Sequence, residues 1–329
     1  MNIAFVSSHN NNYTGSYRIW VNDLAKYINE LEGVGTTARK CGPQSNLCDA
    51  DVVICAKGHE AHASQIKKKY PNKKVGIINL AADSRGLPID FVIVGSLEEK
   101  DSLSHYDNVL MFPLIEDMFR DCIPKRHSNK GRLRIGFHGH YPHLSKFAPH
   151  LKSALESIDK ERDIELLVVT SNNGFVWRHG RPNIKNIIVE PWDQDTIKGL
   201  LMTCDVGVAP NITTIPMDVN RFETSVDAGL YDTDYIFRMK NKSNAGRSFV
   251  FHQLGIPVIG DLTPSNFHIM GDPSCGFLVQ SKLGWEKALN KLFDHELRNL
   301  ISENARREFQ RLYDPHDWAK RLIEEISRL

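Results

Sequence analysis

Lys242-Ser243-Asn244-Ala245-Gly246-Arg247 opens a helical stretch that runs to Leu254. A hydroxyl, the unpaired N–H groups of a helix start, an arginine fork and a lysine converge there. Such a set suits phosphate oxygens, because the helix dipole favours negative charge and Arg supplies paired, charge-assisted donors. The same residues could form a capped surface helix with two solvated cations. For proton chemistry the chain offers His9, His59 with Glu60, and Asp83, each just after a short apolar run. Which of them reaches a reacting hydroxyl is a matter of distance in space. His138, His140 and His143 cluster, but their spacing matches no common zinc pattern. Asp232-Thr233-Asp234 is too short a pattern to specify a metal. No metal and no cofactor are expected.

These residues sit between short apolar runs that read as strands: Ile3–Ser7, Asp51–Ala56, Val75–Leu80, Phe91–Val94 and Val109–Phe112. Each run is bounded by polar, Gly or Pro residues, as in a parallel sheet covered on both faces. From Tyr17 the apolar residues fall at 17, 20, 21, 24, 27, 28 and 31, the spacing of a helix with one buried face. Pro124 to Gly131 is polar and reads as a linker. The alternation then resumes, with strands over 133–137, 164–170, 184–189, 206–209, 258–259 and 277–279, and helices over 147–158 and from Asp193 to Cys204. Strands alternating with helices in two tandem halves argue for doubly wound α/β domains. Asp314-Pro315 opens a last helix whose apolar residues (Trp318, Leu322, Ile323, Ile326, Leu329) share one face. Residues 210–244 show weak periodicity, and a loop that long is usually functional or mobile.

The chain has 329 residues, 41% of them hydrophobic, enough for two domains. Lys plus Arg (41) balance Asp plus Glu (40), which argues against a nucleic-acid partner. The runs Lys67-Lys68-Lys69 and Lys73-Lys74 read as a solvated helix face and a turn. The six cysteines fit neither a zinc spacing nor a disulfide framework, and Cys55 and Cys204 read as core residues. No leader and no run of ~20 apolar residues is visible. A cytoplasmic protein is expected, and loose contact with a membrane surface stays compatible.

Four stretches in the second half resemble the nucleotide-binding domain of GT-B glycosyltransferases. They are Arg134-Ile135-Gly136-Phe137-His138-Gly139 with Lys146 beyond it, Asn186 to Pro210, Gly255-Ile256-Pro257-Val258-Ile259, and Gly276-Phe277-Leu278-Val279. In the first half, Asp49 to Ile54 and Asp90 to Ser96 resemble the corresponding strands. The resemblance covers the chain outside roughly 211–240. It implies two Rossmann-like domains facing across a cleft: 1–126 on the acceptor side, 127–312 binding a nucleotide-sugar. The final helix, about 313–329, would cross back to the first domain. One feature departs from the pattern. Where many retaining members carry two glutamates, this chain has Lys242 and Val250.

The resemblance implies transfer of a sugar from a UDP- or GDP-type donor to a glycan, lipid-linked or other hydroxyl acceptor, without a metal. Charge building on the diphosphate would be met by Lys242, Ser243, Asn244, Arg247 and Lys146. Gly15-Ser16, at the start of the first helix, would let backbone approach a ligand. Ser171 and Trp192 could frame the base, although Trp192 reads slightly better as a core residue. His9 stands where inverting relatives carry a catalytic histidine, and Asp83 is the second candidate base. Two other readings fit the same architecture: a sugar-nucleotide epimerase, and an inactive sugar-nucleotide-binding partner. A dinucleotide oxidoreductase is disfavoured, because the loop after the first strand, Ser7 to Asn12, lacks the Gly-x-Gly-x-x-Gly pattern.

Overall fold

The computed structural model describes residues 1–9, 14–80, 86–129, 131–139, 149–170, 177, 181–211 and 244–329, with backbone alone at Ser16 and Pro149. Its strands are β1 (Asn2–Val6), β2 (Thr37–Cys41), β3 (Val52–Ala56), β4 (Lys74–Ile78), β5 (Phe91–Val94), β6 (Val109–Met111), β7 (Leu133–Gly139), β8 (Ile164–Thr170), β9 (Ile187–Pro191), β10 (Val206–Ala209), β11 (Val258–Asp261) and β12 (Phe277–Val279). The helices are α1 (Gly15–Tyr17), α2 (Leu24–Glu30), α3 (Glu60–Lys69), α4 (Leu97–Ser102), α5 (Pro149–Ile158), α6 (Ile197–Met202), α7 (Gly246–Gln253), α8 (Pro264–Met270), α9 (Lys282–Lys291), α10 (His295–Leu312) and α11 (Pro315–Arg328).

The strands form two six-stranded parallel sheets, ordered β2-β1-β3-β4-β5-β6 and β12-β11-β10-β7-β8-β9. In each sheet the order reverses once, between β1 and β3 and between β7 and β10. Open α/β sheets bind ligands outside the carboxyl ends of their strands at such a reversal, where the connections leave to opposite faces and open a crevice. Those two points are therefore the places in this fold where a ligand crevice opens. β2 was not legible as a strand. Thr-Ala-Arg-Lys-Cys buries only Ala38, as an edge strand can.

Two glycines let α7 lie close to the second sheet. A Cβ on Gly207 would stand 2.3 Å from the Phe251 ring, and one on Gly136 would meet the Cys204 sulfur at 2.5 Å and Phe251 at 3.4 Å. Phe251 sinks into the space above β7 and β10, and the start of α7 is thereby held at the second reversal. Gly255 then turns the chain with φ +70°, and a Cβ there would meet Pro124 at 2.7 Å. Pro124 to Ser128 is thus no free linker. The Lys125 amine donates to the carbonyls of Thr203 (3.1 Å) and Cys204 (2.5 Å) at the end of α6 and pairs with Asp205 at 3.2 Å. His127, 4% exposed, hydrogen-bonds the Gly255 carbonyl at 3.0 Å. These polar residues are spent on the orphan carbonyls that end a helix and a turn.

The first helical region also departs from the regular pattern. Arg18–Asp23 is a π-helical turn between α1 and α2. It keeps Tyr17, Trp20, Val21 and Leu24 in the core while drawing Arg18 inward as well, to 6% exposure. Single π turns often mark functional segments.

Helix α11 packs on the first sheet's layer. Ala319, Leu322, Ile323 and Ile326 are buried with Leu24, Tyr27 and Ile28 in one cluster. Lys74 donates to the carbonyls of Ile326 (2.8 Å) and Ser327 (3.1 Å), capping the end of α11 instead of being solvated. His316 pairs with Glu30 at 2.9 Å. Among the described residues no helix is long and apolar enough to cross a membrane. The six cysteines are free.

Candidate functional site

The second sheet's reversal carries an arginine aimed inward. Arg247, in the first turn of α7, donates to the Pro210 carbonyl at 3.0 Å and to Asn211 Oδ1 at 2.5 Å, just beyond β10. Its guanidinium lies 5.3 Å from the Phe137 ring, and its chain touches the position a Cβ on Gly139 would take, at 3.5 Å. It thus bridges the carboxyl ends of β7 and β10. None of the ion pairs among the described residues includes it, and its Nε is buried without a partner there. Burial pushes its pKa down to about 10, with Asp261 at the end of β11 pulling the other way. Asn244 Oδ1 accepts the Gly246 N–H at 3.1 Å, so the helix start is capped from outside the helix. The N–H groups of Arg247 and Ser248 belong to the unpaired first turn of α7.

A second guanidinium comes from the first sheet's layer and, like Arg247, acts on His138. Arg18, from the π-helical turn of the first domain, pairs with Glu116 at 2.6 Å and lies 4.9 Å from the centre of the Trp192 ring, beyond β9 of the second sheet. It therefore reaches across the gap between the sheets. Gly15 sits beside it, and a Cβ added there would stand 3.8 Å from an Arg18 nitrogen. His138 lies where both arginines act on it. Burial, then the charges of Arg247 and Arg18, hold its pKa at about 4, although its Nε2 sits 3.3 Å from the Arg247 carbonyl. It is a neutral imidazole at neutral pH, spent on orienting α7. His140 and His143 lie outside the described residues.

The first sheet's reversal carries the histidines. His9 is exposed just beyond β1, with its N–H held by Ser7 Oγ at 3.1 Å. His59, beyond β3, accepts the Ser8 N–H at its Nε2 (3.0 Å). A backbone N–H can only donate, so the His59 Nε2 lone pair is occupied and its proton sits on Nδ1. Burial, followed by His62, lowers the His59 pKa. Glu60 turns back to the Gly58 N–H at 3.3 Å.

Of the residues singled out from sequence, the structure brings Gly15, Trp192, Asn244 and Arg247 to the gap between the sheets and His9 to the facing strand end. Asp83, Lys146, Ser171, Lys242 and Ser243 lie outside the described residues, as does the side chain of Ser16. Val250, at the second glutamate position, is wholly buried. Arg18, Glu116, His138 and Asn211 were missed as members of one site. Arg18 stands between Tyr17 and Ile19-Trp20-Val21, and that apolar setting was the available signal for it. Nothing in the sequence marked Glu116 as its partner 98 residues away.

No protein-family model and no curated protein matches the sequence. Solved structures do match in shape. Sucrose-phosphate synthase from Thermosynechococcus elongatus superposes with a TM-score of 0.65 at 12% identity, covering 99% of this chain and 98% of that one. A glycosyltransferase from Rickettsia africae gives 0.62 at 15% identity, over 99% and 98%. An E. coli trehalose-6-phosphate protein bound with UDP-2-fluoro glucose gives 0.62 at 10% identity, over 100% and 99%. Such neighbours are GT-B proteins. The chain has the GT-B fold. At these identities the likeness is one of architecture, and in a GT-B protein the gap between the sheets that holds Arg18, Trp192 and Arg247 is the interdomain cleft.

Proposed function

We propose that the protein is a glycosyltransferase that moves a sugar from a UDP- or GDP-type donor to a hydroxyl of a glycan, lipid-linked or other acceptor, without a metal. The observation that carries this reading is Arg247: a buried cation in no ion pair among the described residues, with Asp261 the carboxylate whose charge acts on it, at a helix start and at the second sheet's strand reversal. Diphosphate oxygens would complete its charge and take the first-turn N–H groups of α7. Negative charge grows on the diphosphate as the sugar leaves, so donors fixed in advance favour the transition state. Trp192, already under a guanidinium, offers a flat face for the base. Lys146, Ser171, Lys242 and Ser243 complete the donor set on this reading, with Gly15 and Ser16 giving backbone access from the first domain.

His9 is the base we favour. It stands exposed at the β1 end, whereas the His59 lone pair is already used on Ser8. Asp83 is kept as the alternative base. The neighbours support the sugar-nucleotide part: one is bound with UDP-2-fluoro glucose, and the rickettsial one is a glycosyltransferase. The buried Val250 favours a second reading, a binding partner that takes the donor without turnover.

A thermal-shift panel of UDP, GDP, dTDP and CMP tests the donor. A ligand at a hundredfold its dissociation constant should add ~2.7 kcal/mol of stability. UDP or GDP should stand out, and a panel with no shift would reject the proposal. Incubation with the matching sugar nucleotides and no acceptor then separates the chemistries. Slow hydrolysis fits a transferase, interconversion of sugars an epimerase, and no turnover with any acceptor the binding partner.

A further inference from the structure

A cavity of about 270 Å3 opens beside the joint of the last two helices. There the turn between β5 and α4, and strand β6, meet α7, α8 and the joint between α10 and α11. Met111, Phe249, Leu312 and Trp318 make one side of it apolar. Besides the hydroxyls of Ser96, Ser265 and Tyr313 it is lined by Arg311, His268 and Arg321, which are engaged to different degrees. Arg311 closes on Glu308, with its Nε at 2.8 Å. His268 Nδ1 is 2.6 Å from the Tyr313 hydroxyl. Arg321 lies over the Trp318 ring, 5.4 Å from its centre, and no ion pair among the described residues includes it. An exposed guanidinium laid on an indole at the edge of an apolar cavity is complementary to an organic anion. The body is desolvated against the rings and the head meets the cation. The volume exceeds the roughly 150 Å3 that admits benzene, which leaves room for one ring and a charged group.

Arg247 does not line this cavity, although Ala245 of the same helix start does. Leu114 stands between Arg247 and the cavity: a Cβ on Gly95, which lines the cavity, would sit 2.1 Å from the Leu114 side chain. One on Gly246, which precedes Arg247, would sit 3.2 Å from Leu114 Cβ. The walls come from both sheets' layers, and beside the cavity the buried Glu98 carboxylate of α4 accepts from the Ser265 hydroxyl of α8. An occupant would therefore contact both halves of the molecule at once.

We propose that this cavity is a second ligand site, for a small organic anion with an aromatic body and a carboxylate or phosphate head. The body packs on Trp318, Phe249 and Met111, and the head binds Arg321. Calorimetric titration of the full chain tests it, with phenyl phosphate and phenylacetate as anionic probes and phenol as the neutral one. At least one anion should bind with a dissociation constant of about 1 mM or tighter, and phenol about tenfold more weakly. Which anion binds better identifies the head group. Arg321→Gln, on an exposed side chain, should erase the preference for the anion. Met111→Trp should fill the cavity and abolish binding of all three probes. Arg247→Met should leave the Arg321-dependent binding of the anion in place, because Arg247 belongs to the other site. Three results would overturn the assignment: no binding of either anion, phenol binding as well as both anions, or loss of the anion in Arg247→Met with retention in Arg321→Gln.

Discussion

Replacing Arg247 with methionine should cut nucleotide affinity while leaving the apo protein about as stable as before. Burial holds the Arg247 guanidinium at about 10, against an ordinary value of 12.5. Each pH unit corresponds to about 1.4 kcal/mol, so keeping the charge in place costs ~3 kcal/mol. Its two hydrogen bonds, to Pro210 and Asn211, return about 1.5 kcal/mol each, as charged donors do. The two contributions nearly cancel, and methionine retains most of the apolar contact with Phe137. Apo stability should therefore move by less than ~1 kcal/mol. The bound state behaves differently. Two charge-assisted contacts to the diphosphate are lost, at roughly 1.5 kcal/mol each, and the dissociation constant should rise by about two orders of magnitude. The assay is calorimetric titration of UDP and GDP, with a thermal melt of each apo protein alongside. Arg247→Lys should recover part of the affinity, since it restores charge without the fork. If Arg247→Met melts like the wild type and binds the preferred nucleotide within threefold of it, the arginine does not hold the diphosphate and the reasoning fails.

Three further outcomes are expected. His9→Ala should lower kcat by about 10²- to 10⁴-fold with nucleotide binding unchanged, as loss of a general base does; an unaltered kcat would remove His9 from the mechanism. Burial lowers the pKa values of His138 to about 4 and of His252 to about 3, so the unfolded chain takes up their protons first as pH falls through 6.5. Stability is then lost at up to about 1.4 kcal/mol per pH unit for each histidine below that point. His252 ring nitrogens have no partner among the described residues, so His252→Leu should shrink the stability difference between pH 7 and pH 5 by ~2 kcal/mol in urea titrations. An unchanged difference would show that His252 is not buried neutral. Gly207→Ala should destabilise by about 2 kcal/mol, since its Cβ would overlap the Phe251 ring at 2.3 Å, and a melting point equal to wild type would contradict the close seating of α7.

Much of the architecture could be read from local chemistry. A run such as Phe91–Val94, or Val206–Ala209, bounded by polar residues, has few alternatives to a buried parallel strand, and both appear with those limits. The helix start at Asn244 to Arg247 was legible for a similar reason: the first turn of a helix leaves backbone N–H groups unpaired wherever it occurs. β2 was not legible, because an edge strand that buries one residue leaves no hydrophobic period. The tie between Lys125 and the end of α6 was hidden too. A lysine in a polar segment looks solvated until the carbonyls it caps, 78 and 79 residues away, are known.

The sequence by itself determined the alternation of strands and helices, the two tandem halves and the cationic helix start, since each depends on neighbours a few residues apart. Tertiary structure alone decided which residues share the crevice. The sheet orders place the strand reversals, the reversals gather Arg247 with Gly139 and Asn211, and the π-helical turn brings Arg18 across to Trp192. These pairings join segments up to 174 residues apart, counted from 18 to 192. No periodicity along the chain records them, because they follow from how two sheets pack and not from what any one segment prefers.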